Sequence, residues 1–184
     1  MGSLTDSTPL LTFEDFERLP EEPGKCELLE GELVQLPPAE MKHFRIAKRI
    51  FLLLNRAVEA AHERGEAPAL GEVCIEAGYH FDARSYVQPD VSISHSAQAE
   101  DKYLRGGPAI AIEVISPSNG ARHVDLKTKL YFQFGATEVW QVYPSTRRVI
   151  IHTEGGCKIR LEHDAVSTPL LPGFSLSIAE ILGE

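Results

Sequence analysis

The chain has 184 residues, 43% of them hydrophobic, with 18 Lys and Arg against 27 Asp and Glu and a formal net charge of −9. Length and apolar content give a single domain with a real core. The acidic balance argues against a nonspecific nucleic-acid coat, which needs a broad basic surface, but leaves open a nuclease whose positive charge comes from metal ions or a local basic groove.

Cys26, Cys74 and Cys157 are odd in number, far apart and without a C-x-x-C pair. This excludes a disulfide framework and a cysteine-only zinc knuckle, and small buried thiols in a reducing compartment are expected. The N-terminus, MGSLTDSTPLLTFEDF, has no basic region followed by an apolar one and does not read as a signal peptide. No apolar stretch approaches the ~18–20 residues of a membrane span. The expectation is a cytoplasmic protein with no membrane partner.

In chain order, residues 1–11 read as a loose, flexible N-terminus and residues 12–184 as one domain. Thr12 can cap a short helix, with Asp15 three residues on and Phe13, Phe16 and Leu19 at helical spacing; Pro20 and Pro23 end it. Residues 27–36 are strand-like around Gly31, and Pro37-Pro38 breaks them. From Glu40 to about Arg64 the pattern is helical. Ile46, Ile50, Leu53, Leu54, Ala57 and Ala61 form one stripe, Lys42, Arg45, Lys48, Arg49 and Arg56 lie largely off it, and Gly65 is the stop. The period then changes to two, with Val73, Ile75, Ala77 and Tyr79 alternating with polar residues, as do Val91 and Ile93. Residues 109–115 are almost continuously apolar, which suits a central strand covered on both faces. Residues 122–134 read as a helix ending at Gly135, and 138–143 as a strand carrying the only Trp. Residues 149–153 and 157–162 flank Glu154-Gly155-Gly156 as a hairpin, and 177–182 form a short terminal helix. This order predicts an α/β or α+β layer fold in which helices cover both faces of one mixed sheet. No Gly-x-Gly-x-x-Gly or Walker loop accompanies it.

Three residues carry the chemical signal. Glu113 sits inside the apolar run, where a bare carboxylate costs on the order of several kcal/mol; protonation, a cationic partner or a metal ion makes it tolerable. Asp90, after Pro89, opens a strand, because proline cannot donate to a ladder and marks a start or an edge. Lys127 lies in the helix after the Glu113 strand; Lys129 cannot share its face, since i and i+2 point apart. Each has a plain alternative: a lysine-paired strand end, a turn, a solvated helix lysine. Together they form the minimum set for metal-dependent phosphodiester hydrolysis. Two carboxylates hold a hard cation, and an ammonium orients water and steadies charge on phosphorus. Ser116 and Ser118 lack a nucleophile elbow and read as a turn, and His80, His95, His152 and His163 lack metal-ligand spacing and read as structural or surface residues.

The set Pro89-Asp90, Glu113-Val114-Ile115-Ser116-Pro117-Ser118, and Lys127 followed by Tyr131, Gly135 and Glu138-Val139-Trp140 resembles the PD-(D/E)XK nuclease superfamily. Within it, the chain is similar to the Uma-type family of restriction-endonuclease-like proteins. The resemblance extends to Glu27-Leu28-Leu29-Glu30-Gly31-Glu32-Leu33 and to His43, and covers roughly residues 12 to 182. It implies a restriction-endonuclease-like fold, a central mixed sheet flanked by helices with an N-terminal helix and hairpin extension. It also implies Mg²⁺ (or Mn²⁺) at Asp90, Glu113 and the backbone carbonyl of Ile115, with DNA as substrate and 5′-phosphate and 3′-hydroxyl products. The superfamily's lysine two residues after the glutamate is Ile115 here; the resemblance places it at Lys127, with Lys129 the alternative. His123 stands where relatives often carry an acidic residue, which Asp125 could replace. Glu27, favoured over Glu30, is implied as a completing site carboxylate, and His43 as a phosphate contact or proton donor. A catalytically inactive binding or scaffold protein and another phosphoesterase on the same fold stay open. A homodimer is expected through the terminal hairpin and exposed Phe132 and Phe134.

Overall fold

The computed structural model describes residues 9–20, 24–117 and 119–183. Most of the expected loose N-terminus, together with Pro23 and Ser118 of the motifs above, lies outside the described residues. The elements are α1 (Phe13–Glu17), β1 (Lys25–Leu29), β2 (Glu32–Leu36), α2 (Met41–Glu63), β3 (Leu70–Ile75), β4 (Tyr79–Asp82), β5 (Ser85–Val87), β6 (Val91–His95), β7 (Leu104–Arg105), β8 (Ile110–Val114), α3 (Ala121–Gln133), β9 (Glu138–Tyr143), β10 (Arg148–Thr153), β11 (Gly156–Arg160), β12 (Ala165–Val166), β13 (Leu176–Ser177) and α4 (Ile178–Leu182).

Local chemistry sets these boundaries. Thr12 and Asp15 close a reciprocal capping box on α1, and Ser177 and Glu180 do the same on α4. Glu30 and Gly31 join β1 to β2 in two residues, both with positive φ (51° and 90°). That is the twist a tight hairpin needs, and glycine supplies half of it without strain. Ser116 N and Oγ both donate to Asn119 Oδ1, turning the chain after β8.

The central sheet is mixed, in the order β11-β10-β9-β8-β6-β3; β8 and β9 run parallel and are joined by α3. The apolar run at 110–114 becomes an interior strand of this sheet. Its side chains alternate: Ile110, Ile112 and Val114 join Trp140 and Val142 of β9 on one face, where α2 and α4 pack. Ile46, Ile50, Leu54 and Val58 of α2 are buried there, each contributing roughly 1.5–3 kcal/mol of transfer free energy. On the other face, Ala111 and Val139 meet Leu130 and Tyr131 of α3.

The expectation of one sheet is corrected here. A second sheet, β2-β1-β5-β4-β7, covers the α3 side of the central one, bringing Leu29, Val34, Tyr79 and Val87 into that layer. The alternation over 73–79 is therefore two strands in two sheets: β3 belongs to the central sheet and β4 to the second, and Glu76 turns between them at φ 51°. A buried hydrogen bond from Tyr79 Oη to Ser92 Oγ (2.9 Å) joins the sheets. The thiols are not buried as expected: Cys157 is exposed and Cys26 and Cys74 are half-buried, with no disulfide. Phe132 and Phe134 are not the exposed aromatics expected of a dimer surface. Both pack against the α3 layer, Phe134 stacked on Phe81 at 4.8 Å between centroids. Among the described residues no helix is long and apolar enough to cross a membrane.

Candidate active site

Period-two geometry delivers three carboxylates to one cleft. On β6 and β8 the register pairs Val91 with Ile112 and Ser92 with Ala111. One step further along that register sets Asp90 across from Glu113, both on the face turned toward the second sheet. On β1, Lys25, Glu27 and Leu29 share a face. Leu29 enters the layer beneath α3, whereas Leu28 turns the other way, onto Phe13 and Tyr86. Lys127 reaches down from α3, and His43 comes from the first turn of α2. The cleft has a volume of about 1160 Å³ and is lined by all six of these polar side chains, Lys25 included, together with Ile115, His123 and Gln141.

The contacts within it are short. Lys127 Nζ lies 2.8 Å from Glu27 Oε1 and 2.7 Å from Glu113 Oε1. Tyr131 Oη donates to the same Glu113 oxygen at 2.6 Å. Glu27 Oε1 also accepts from the Gln88 backbone N–H at 2.8 Å. Asp90 is held by three donors: Lys25 Nζ on Oδ1 (3.0 Å), and on Oδ2 the Val114 backbone N–H (2.7 Å) and His43 Nε2 (3.2 Å). Glu27 is 0% exposed, and among the described residues its Oε2 has no hydrogen-bond partner.

Charge states follow from these neighbours. Burial would raise the Asp90 carboxyl, but Lys25 and His43 outweigh it and hold the group far below the usual carboxylate range. Burial pushes Glu113 up, with Lys127 pulling against it and Asp90 adding to the rise. Burial disfavours the Lys127 ammonium, but Glu113 and Glu27 prevail, so its pKa is raised and it is charged. Lys25 follows the same pattern, with Asp90 the leading counter-charge. The hydrogen bond to Asp90 raises His43, and burial keeps the Tyr131 phenol protonated.

The structure thus brings together Asp90, Glu113, Lys127, Glu27, His43 and Ile115. Lys129 and Glu30 pair with each other on the surface at 2.9 Å, away from this group. His123 lines the cleft and meets Glu32 at 3.3 Å. Asp125 is not among the residues that line the cleft, and its charge acts on Tyr143 and His152. Sequence reasoning missed Lys25, whose signal was its i, i+2 relation to Glu27 on one strand face, and gave Tyr131 no role.

The model of the family described as "Uma2: Putative restriction endonuclease" matches residues 13–179. The chain belongs to this family. A Uma2 assignment agrees with the fold: a solved structure described as a "putative nuclease belonging to DUF820", from Anabaena variabilis, superposes with a TM-score of 0.78 at 21% identity, covering 94% of this chain and 98% of that one. No curated protein matches the chain. The restriction-endonuclease-like architecture expected from the Uma-type resemblance, a mixed central sheet flanked by helices, is therefore shown.

The Uma2 family description makes a divalent metal the natural test of the cleft. Among the described residues, no group of three or more His, Cys, Asp and Glu stands ready to hold a metal ion. The oxygen donors nevertheless suit a hard cation, which needs only one or two carboxylates and completes its shell with water and phosphate. Glu27 Oε2 is a buried carboxylate oxygen with no hydrogen-bond partner among the described residues, and Lys127 and Tyr131 both engage the same oxygen of Glu113.

Proposed function

We propose that this protein is a metal-dependent endodeoxyribonuclease, hydrolysing DNA phosphodiesters in the cleft between the two sheets. The observation that carries this reading is the buried, charged Lys127 shared by Glu27 and Glu113 beside Asp90. Family membership supports it. Asp90, Glu113 and the Ile115 carbonyl would hold Mg²⁺ or Mn²⁺, with Glu27 as a further carboxylate. When bound, such a cation neutralises phosphate charge and acidifies water.

The remaining work falls to the chain. Lys127 is protonated, so it acts as a hydrogen-bond donor and positive charge rather than as the group that takes the water's proton. Its ammonium orients the attacking water and steadies the charge that develops on the phosphoryl oxygens. Glu27 aims that ammonium, and Tyr131 fixes the Glu113 carboxylate through the same oxygen that Lys127 engages. His43 faces the cleft from α2, where its second role is a proton or hydrogen bond for a phosphate oxygen. Beside it, α2 carries Lys42, Arg45, Lys48, Arg49 and Arg56 with no Asp or Glu between residues 41 and 58. This is the local basic surface that an acidic chain needs to approach DNA.

The test is cleavage of supercoiled plasmid with Mg²⁺ or Mn²⁺. The wild type should nick or linearise it, and Glu113→Gln and Lys127→Met should each lose about 100-fold or more. Undiminished metal-dependent cutting by Glu113→Gln would sink the assignment. No cleavage and no heat of metal binding in the wild type would favour an inactive scaffold.

A further inference from the structure

A metal ion on Asp90 Oδ1 would share that oxygen with the Lys25 ammonium, a like charge already 3.0 Å away, so the two cations compete for it. Both of its oxygens are occupied, by three donors in all. The donors differ in how easily they can leave. Val114 N–H belongs to the backbone of an interior strand and is fixed. His43 is carried on a helix whose adjacent residues Ile46, Ala47 and Ile50 are buried in the core. Lys25 is a flexible arm on the first residue of β1. It follows Gly24, which has φ 102° and where an added Cβ would lie 2.3 Å from the Leu36 carbonyl oxygen. The backbone beside it is therefore tightly placed, while the side chain lines the cleft. Its side chain is 16% exposed, and its ammonium sits on Oδ1, the oxygen that neither His43 nor Val114 uses.

We propose that Lys25 is a resident counter-ion for Asp90 that a divalent cation must displace, so that this lysine sets how tightly the site takes metal. An ammonium 3.0 Å from a buried carboxylate does part of a cation's work. It keeps Asp90 ionised and in place while the site lacks metal. On loading, the arm swings off Oδ1 into the cleft, where its charge faces an incoming phosphate. Lys25 is thus a positioning residue, and its removal should tighten metal binding rather than weaken it. This rests on the metal-dependent reading above, but the experiment separates the two.

Mn²⁺ affinity is measured by titration calorimetry on the wild type, Lys25→Met and Lys129→Met, without DNA. Lys25→Met should bind about tenfold tighter or more, the weight of one charged hydrogen bond, and Lys129→Met should match the wild type. In parallel, wild-type lysines are labelled with an amine-reactive acetylating reagent and read by mass spectrometry. Lys25 labelling, normalised to the exposed Lys129, should rise when Mn²⁺ is added. This second measurement needs no variant and holds even where Lys25→Met folds poorly. Wild-type Mn²⁺ binding with equal or weaker binding by Lys25→Met, or with unchanged Lys25 labelling, overturns the displacement and leaves the nuclease reading standing. Binding by Lys25→Met alone supports displacement in its strongest form. Binding by neither protein overturns both.

Discussion

Lys127 and Lys129 are two residues apart on α3 and have opposite fates. Lys127 sits between Glu27 and Glu113 with 10% of its side chain exposed; Lys129 reaches Glu30 from a position 63% exposed. Removing one member of a buried charge cluster strands the others without compensation, which typically costs about 3–5 kcal/mol, whereas exposed pairs contribute roughly 0–1 kcal/mol. Lys127→Met should therefore unfold at markedly lower urea concentration than the wild type, and Lys129→Met should be nearly unchanged. Equal midpoints for the two variants would show that Lys127 does not sit where it is described. The same contrast explains what could be read in advance. Glu113 announced itself because an acid in an apolar run demands a partner. Lys25 did not, because a lysine at the start of a strand usually points to solvent, and only the pairing of β1 beneath the central sheet brings it to Asp90.

At the level of elements, long periodic segments and capped short helices were legible, and the shortest strands were not. The stripe of α2, the apolar run of β8 and the hairpin of β10 and β11 each carry enough residues for their period to show. The second sheet is built partly from β5 and β7, of three and two residues, too short for any alternation to register. Their pairing is set by contacts distant in sequence, such as Leu28 with Tyr86. Strand β10 also holds a titrating group. His152 is lowered by burial, with Asp125 opposing, and its Nε2 is buried without a partner among the described residues. Above pH 6.5, the ordinary value, the ring is neutral in folded and unfolded chains alike. As pH falls through that value the unfolded chain takes up the proton first. Stability then drops until the lower folded pKa is passed. Thermal midpoints from about pH 8 to 5 should accordingly fall less steeply for His152→Gln than for the wild type; parallel curves would remove His152 from the account.

The molecule as a whole is acidic, yet one helix beside the cleft is basic. Among the described residues, Lys42, Arg45, Lys48 and Arg56 make no ion pair, while Arg18, Arg64, Lys102, Arg105, Arg122, Lys129 and Arg147 each do. If α2 follows a DNA backbone, replacing Arg45, Lys48 and Arg56 by Gln should reduce the slope of log affinity against log salt by about 2–3, near 0.9 for each lost phosphate contact. An unchanged slope in fluorescence anisotropy would place the DNA elsewhere on the surface.

The two-sheet arrangement has a practical side. Trp140 is the only tryptophan, and it lies on the α2 side of the central sheet, bonded to the buried Glu138 and stacked near Phe174. Its emission therefore reports on that half of the protein. Detachment of the β2-β1-β5-β4-β7 sheet would carry Glu27 and Lys25 away from their partners and erase the candidate site while the fluorescence signal barely moved. A sample judged native by its tryptophan spectrum would thus already have lost the candidate site.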